Sequence, residues 1–410
     1  MIQKRWFGLI LTGVFLLGLL ISPEVLAEDG NQHTLWPRPY KTRGWGGIIY
    51  GHTEQINVVK FSPDGSLIAS GGSDDLIILW NTTTGEEVRS LAGHTDDVLT
   101  LSFSNSGSWL CSGSRDGTIK LWDVLTGGLQ IILDGHNGDP VTSLSYSPDG
   151  TTLASGSVDG KVILWDMNGT SSLSSLEGTN EHYLGVVRSL RYSPDSSKLA
   201  AIYESDSLIN LWDINSYRLL NNLSYPRLGN PKGLAFSPDG SEVVIGMTKV
   251  IIKHSGHAEE EVGRIVVKNS FYIRNLVISP DGQIIAISGE DNELAFLNNS
   301  NGEELGVLTS PSWIYSIDYS PEGTLVAVAS RIETTNTPIV TIWDIHANPP
   351  MWWEVDPYEL GGVVITCLGG GLLVGVLVDR SNRKKKEEGK LMRRDLRIRE
   401  LRLETIQKNQ

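Results

Sequence analysis

The sequence predicts an all-β domain made of seven copies of one unit, and three observations carry that prediction. A serine-led turn recurs seven times, starting at Ser62, Ser104, Ser147, Ser193, Ser237, Ser279 and Ser320, at intervals of 41–46 residues. Each turn follows an alternating apolar strand, as in Val59-Lys60-Phe61 and Leu101-Ser102-Phe103, and precedes another, as in Leu67-Ile68-Ala69 and Leu153-Ala154-Ser155. A further strand ends in Trp plus Asp or Asn at Leu79-Trp80-Asn81, Leu121-Trp122-Asp123, Leu164-Trp165-Asp166, Leu211-Trp212-Asp213 and Ile342-Trp343-Asp344. Self-similarity at a fixed period marks a repeat architecture. The turns themselves are Pro-Asp-Gly chemistry, in which Pro presets φ and Gly accepts a positive one.

Gly-His, about ten residues, Ser-Pro-Asp-Gly, a Ser-Gly-Ser-x-Asp-Gly turn and Trp-Asp together resemble the WD repeat over residues 45–346. That resemblance implies a seven-bladed WD-repeat β-propeller, with four-stranded blades around a central channel, here assigned to residues 45–350. Such a ring must close. No outer strand follows Trp343-Asp344, because Asn348-Pro349-Pro350 comes next. Residues 46–52, Gly-Gly-Ile-Ile-Tyr-Gly-His, match 88–94, so residues 47–50 are expected to complete the seventh blade. Closure removes free sheet edges.

The resemblance also implies a His–Ser–Asp–Trp hydrogen-bonded network within each blade. Its members here are His52, His94, His136 and His182; Ser70, Ser112 and Ser155; Asp74, Asp116, Asp159 and Asp206; and Trp80, Trp122, Trp165 and Trp212. A Ser/His/Asp set suggests nucleophilic catalysis. Recurrence in blade after blade argues instead for satisfied buried polar groups that pin strand register. Blades five to seven depart from the pattern. Blade five runs Lys249-Val-Ile-Ile-Lys-His254 without Trp, blade six has Leu297 where Trp would sit while keeping Asp291, and blade seven has a longer loop near 331–338. The departures are read as drift or as a specialised face. Glu259-Glu260-Glu261, with His254 and His257 nearby, is read as a solvated acidic loop rather than a cation site.

Fold does not give function. The resemblance implies a rigid platform that binds a protein or peptide partner on one rim, with Glu54, Asp75, Asp96, Asp97, Arg115, Asp139 and Val158 as candidate contacts. An enzyme or cofactor-binding propeller, hydrolase or quinone-dependent, is the alternative. It requires convergent charged residues in the channel, and the sequence shows no such set. No nucleophile elbow, metalloprotease helix or phosphate-cradling loop is present. The reading is therefore not an enzyme, with no cofactor and no metal. A receptor or assembly factor in export or envelope maintenance is a narrower form of the scaffold.

The two ends place the propeller outside a membrane. Lys4 and Arg5, an apolar run over 6–21 and Val25-Leu26-Ala27 form a secretory signal peptide over 1–27, with an uncleaved anchor as the alternative. Residues 28–44 are a polar, Pro-containing linker and 351–360 a juxtamembrane one. Residues 361–378 carry no charge; as a helix they reach roughly 27 Å at about 1.5 Å per residue, enough to cross the hydrocarbon layer. Trp352, Trp353 and Tyr358 precede them, and Arg380, Arg383, Lys384, Lys385 and Lys386 follow, which puts the tail on the cytoplasmic side. Gly371-x-x-x-Gly375 could pack two such helices. The tail, 379–410, has 12 basic and 6 acidic residues. Basic residues there attract anionic lipid headgroups, with a coiled coil or partner helix as the other reading.

The net charge is −14 overall, and residues 28–378 carry −21 of it, since both ends are net positive. So acidic a domain repels nucleic acid. The two cysteines, Cys111 and Cys367, lie in different segments, so no internal disulfide is expected. Four sequons, at Asn81, Asn168, Asn222 and Asn298, make N-glycosylation an open reading, with three of them just after a third strand.

Overall fold

A computed structural model describes residues 48–345, apart from 170, 177–184, 205–206, 257–259, 268–271, 290–291, 311 and 333–334, together with the backbone of 363–368 and 371–376. The seven repeats form seven four-stranded antiparallel sheets, six of them in simple sequence order. Blade one shows the unit: Ile56–Phe61, Leu67–Gly72, Leu76–Asn81 and Glu87–Ala92, from inner to outer. Each inner strand contacts the inner strands of both neighbouring blades, that of blade seven meeting that of blade one, so the sheets form a closed ring.

The serine turns hold by side-chain geometry. The Ser62 hydroxyl donates to Asp64 Oδ1 at 2.6 Å and accepts from the Leu67 amide at 2.9 Å. Ser147, Ser193, Ser237 and Ser279 repeat both bonds. The hydroxyl thus replaces a backbone partner at the point where the chain reverses.

Apolar residues on alternating positions meet between blades. Seven hydrophobic cores result, one at each junction. The core between blades seven and one contains Ile49, Val340 and Ile342 together with Ile56, Val59 and Trp80. Ile48–Ile49 is the outer strand of blade seven, pairing with Thr341 and Val340. This strand lies within the expected 47–50, of which residue 47 is outside the described residues.

Two expectations are corrected. The longer loop of blade seven is instead a lengthened pair of strands, Leu325–Ile332 and Thr337–Asp344, whose pairing continues to Ile332↔Thr337. Residues 363–376 are not one helix: Val363–Leu368 and Gly371–Val376 pair antiparallel from Val363↔Val376 to Leu368↔Gly371. Val363, Val364, Ile365 and Thr366 are β-branched and favour strands. Glycine costs a helix about 1 kcal/mol per residue. No helix among the described residues is long and apolar enough to cross a membrane. The expected signal peptide, both linkers and the basic tail lie outside the described residues, as do His182, Asp206, His257 and Asp291.

Candidate functional site

In blades one to three the structure brings each His–Ser–Asp–Trp set together. His52 bonds Asp74 through Nδ1 at 2.8 Å and Ser70 Oγ through Nε2 at 2.8 Å, and Trp80 Nε1 donates to Ser70 at 2.8 Å. His94, Asp116, Ser112 and Trp122 repeat the geometry, as do His136, Asp159, Ser155 and Trp165. Donors and acceptors assign one proton order: Trp N–H to serine, serine O–H to Nε2, and Nδ1–H to the carboxylate. Glycine before the histidine makes room for the indole. A Cβ on Gly51 would lie 2.2 Å from Trp80, and one on Gly135 2.6 Å from Trp165.

Burial pushes the Asp74 carboxyl up, but the His52 hydrogen bond and charge and the Thr53 and Leu76 amides outweigh it and hold it below the usual range. Asp116 and Asp159 are lowered by the same balance. His94 is lowered, because burial and the nearby Lys120 outweigh Asp116. The serine hydroxyls cannot act as nucleophiles on a substrate: Ser70, Ser112 and Ser155 are fully buried. Blade four differs, with Ala201 at the register position of the serine and Trp212 buried beside it.

In blade five His254 takes the tryptophan's register position opposite Val243, and its Nε2 accepts from the Tyr225 hydroxyl. Leu297 takes that position in blade six, opposite Ile285. Glu261 is paired with Arg264 at 2.8 Å.

The candidate rim residues follow the histidines and occupy the adjacent tight turns, so they share the face that carries the His–Asp pairs. The carboxylates of Asp75, Asp96 and Asp97 lie within 4.8 Å of one another. Asp75 has φ 63°, and burial and the charges of Asp96 and Asp97 raise its carboxyl above the ordinary value. Arg115 Nη2 pairs with Asp97 at 2.8 Å. Glu54 and Asp139 are exposed, and Val158 is half-buried with its amide bonded to the Pro140 carbonyl at 3.0 Å. The sequence named these residues but not their convergence, because Asp75 and Asp96 belong to different blades. It also missed a groove of about 480 Å³ lined by Tyr50, His52, Thr53 and the blade-seven hairpin at Thr335–Pro338.

Around the same rim the chemistry changes sign. Lys249 lies 4.9 Å over the Tyr272 ring and Arg274 5.3 Å over that of Trp313, and both aromatic residues are a little under half exposed. Of the sequons, Asn81 and Asn298 cap turns through their side-chain oxygens, Asn168 is exposed, and Asn222 lies within an outer strand.

The channel corrects a further expectation. Lys60, Arg191 and Asp318 occupy one layer of the inner strands, paired with Ala69, Ala200 and Ala327. They are three charged residues that break the repeat, from blades one, four and seven. Lys60 Nζ bonds Asp318 Oδ1 at 2.5 Å, and Oδ2 accepts from the Phe61 amide at 2.9 Å. In sequence they are separated by more than a hundred residues, so no local pattern brings them together.

Comparison with known proteins agrees with this architecture. The WD40 family model, described as WD domain, G-beta repeat, matches residues 46–81, 85–123, 127–166 and 171–213. The chain therefore carries WD40 repeats over residues 46–213, and its seven sheets form a seven-bladed β-propeller. A stretch of 42 residues is 55% identical to Cross-pathway control WD-repeat protein 2 of Flammulina velutipes, covering 10% of this chain and 13% of that protein. Small ribosomal subunit protein RACK1 of Medicago sativa is 49% identical over 43 residues, again 10% and 13%. A Chromatin assembly factor 1 subunit of Gallus gallus is 49% identical over 41 residues, 10% of this chain and 7% of that protein. Each likeness spans about one repeat, and so about a tenth of either protein.

Proposed function

We propose that this protein is a membrane-anchored scaffold displayed outside the membrane, which gathers a protein or peptide partner on the rim of blades one to three. One observation carries the reading: three half-buried carboxylates from two blades converge within 4.8 Å on one rim, with Arg115 pairing only Asp97 among them. Like charges held together destabilise the free protein and are relieved by a cationic partner. A basic segment is thus the best-fitting occupant. Two of the similar proteins, a ribosomal subunit protein and a chromatin assembly factor subunit, are by name parts of larger assemblies, which fits a platform role.

Placement outside the membrane rests on the sequence: the signal-like start, the uncharged stretch 361–378 and the basic residues after it. Two six-residue strands are shorter than the roughly 9–11 residues a membrane strand requires, and an isolated hairpin leaves edges that lipid cannot satisfy. Anchoring therefore requires 361–378 to be helical in the bilayer, with the tail against anionic headgroups. Protease added to intact cells should remove the propeller and spare a tag on the tail. The partner test is crosslinking and pulldown of the full chain against an Asp96→Arg, Asp97→Arg variant. Capture of a stoichiometric basic partner, lost in the folded variant, is the expected result. Capture indifferent to the reversal sinks the rim assignment.

A further inference from the structure

We propose that the central channel, at its end near the serine turns, is a binding site for a compact oxyanion such as a phosphate or carboxylate group, held by Arg191 and Lys60. The inner strands of this layer present Lys60, Ser102, Ser145, Arg191, Ala235, Val277 and Asp318, each at the same register against its second strand. In three of these seven positions the side chain has a defined structural task. Ser102 accepts from the Tyr146 amide, Ser145 from the Tyr192 amide and Asp318 from the Phe61 amide, each joining one blade to the next. Arg191 is a donor and cannot perform that task.

Its five N–H groups are instead poorly used. Nη1 donates to the Leu190 carbonyl at 2.7 Å, and among the described residues Arg191 forms no ion pair. Asp318 is already committed to Lys60 and Phe61 on both oxygens. Burial lowers the affinity of both Lys60 and Arg191 for their protons, while Asp318 opposes this for each. The layer therefore holds two cations against one anion, in surroundings that penalise the unmatched charge. A half-buried guanidinium with free donors facing the channel is a fork for a bidentate oxyanion. Channel walls of low dielectric strengthen that attraction even though the propeller as a whole is acidic.

The site is separate from the rim, and its test does not depend on the rim reading. Inorganic phosphate, with succinate in parallel, is titrated into the detergent-solubilised full chain at constant ionic strength. Binding is followed by calorimetry and by the melting temperature, against chloride as the control. Saturable binding of either anion upholds the site, and the tighter of the two names the class. Arg191→Gln should weaken binding at least about tenfold, the scale of one charge-assisted contact. Its melting temperature without anion should match or exceed that of the wild type, since a half-buried, unmatched charge is removed. Asp318→Asn keeps an acceptor for the Phe61 amide and releases Lys60, so it should tighten binding about tenfold. No binding beyond chloride in the wild type, or binding unchanged in both variants, overturns the proposal.

Discussion

Ring closure rests on a single buried side chain at the start of the propeller, and Ile49→Ala tests it. Ile49 is 1% exposed, pairs with Val340 and packs in the core that also holds Val59, Trp80 and Ile342. The substitution removes three carbons, about 0.8 kcal/mol each by transfer. The cavity left behind raises the total to about 3–4 kcal/mol, within the range for buried Ile→Ala. Urea unfolding followed by tryptophan fluorescence reads the loss as a lower midpoint. Val88→Ala, on the exposed outer strand of blade one, should change stability by less than about 0.5 kcal/mol. Opening the seam also bares the edge of Thr337–Asp344, so concentration-dependent association should accompany the loss. A loss below about 1 kcal/mol for Ile49→Ala would refute closure by this strand.

The polar network yields two more expectations. Asp116→Ala strands the His94 Nδ1–H and the enclosed Lys120 ammonium, which lies 3.3 Å from Asp116; the cost should be on the order of 3–5 kcal/mol, measured as a urea midpoint. A variant as stable as the wild type would contradict the assignment. Stability should also fall in two stages on acidification. His94 is lowered in the folded protein, so the unfolded chain takes up its proton first, and its contribution declines as pH drops below about 6.5. The carboxyls of Asp74, Asp116 and Asp159 are lowered as well, so their contribution is lost as pH falls below about 4 toward their folded values. Melting curves of wild type and His94→Gln between pH 7 and 5 should show a shallower decline in the variant; parallel declines would reject the first stage.

Much of the fold was legible because its determinants are local. A Ser-Pro-Asp-Gly turn closes on its own serine hydroxyl, as at Ser62 and Leu67, so seven turns announced seven blades. The Gly-His and Trp-Asp pairs were legible for a similar reason. Each member occupies a fixed register within one blade, and Gly51 is dictated by the indole that lies over it. The apolar stretch was expected as one helix, and residues 363–368 and 371–376 are described as strands; hydropathy reports that a segment is apolar but not which backbone it takes. Its β-branched residues and glycines, read for propensity, pointed to the strands observed. In blade seven, length alone could not distinguish a loop from two strands that simply continue.

The chain alone determined the repeat, its turns, the intrablade network and the acidic character of the propeller, because these depend on residues within about forty positions of each other. Only the closed ring decided which blades share a rim and which side chains share a channel. Asp75 and Asp96 become neighbours across a blade junction, and Lys60 meets Asp318 only when the last blade returns to the first. Such encounters depend on the curvature and register of the whole ring, quantities that no local pattern of residues encodes.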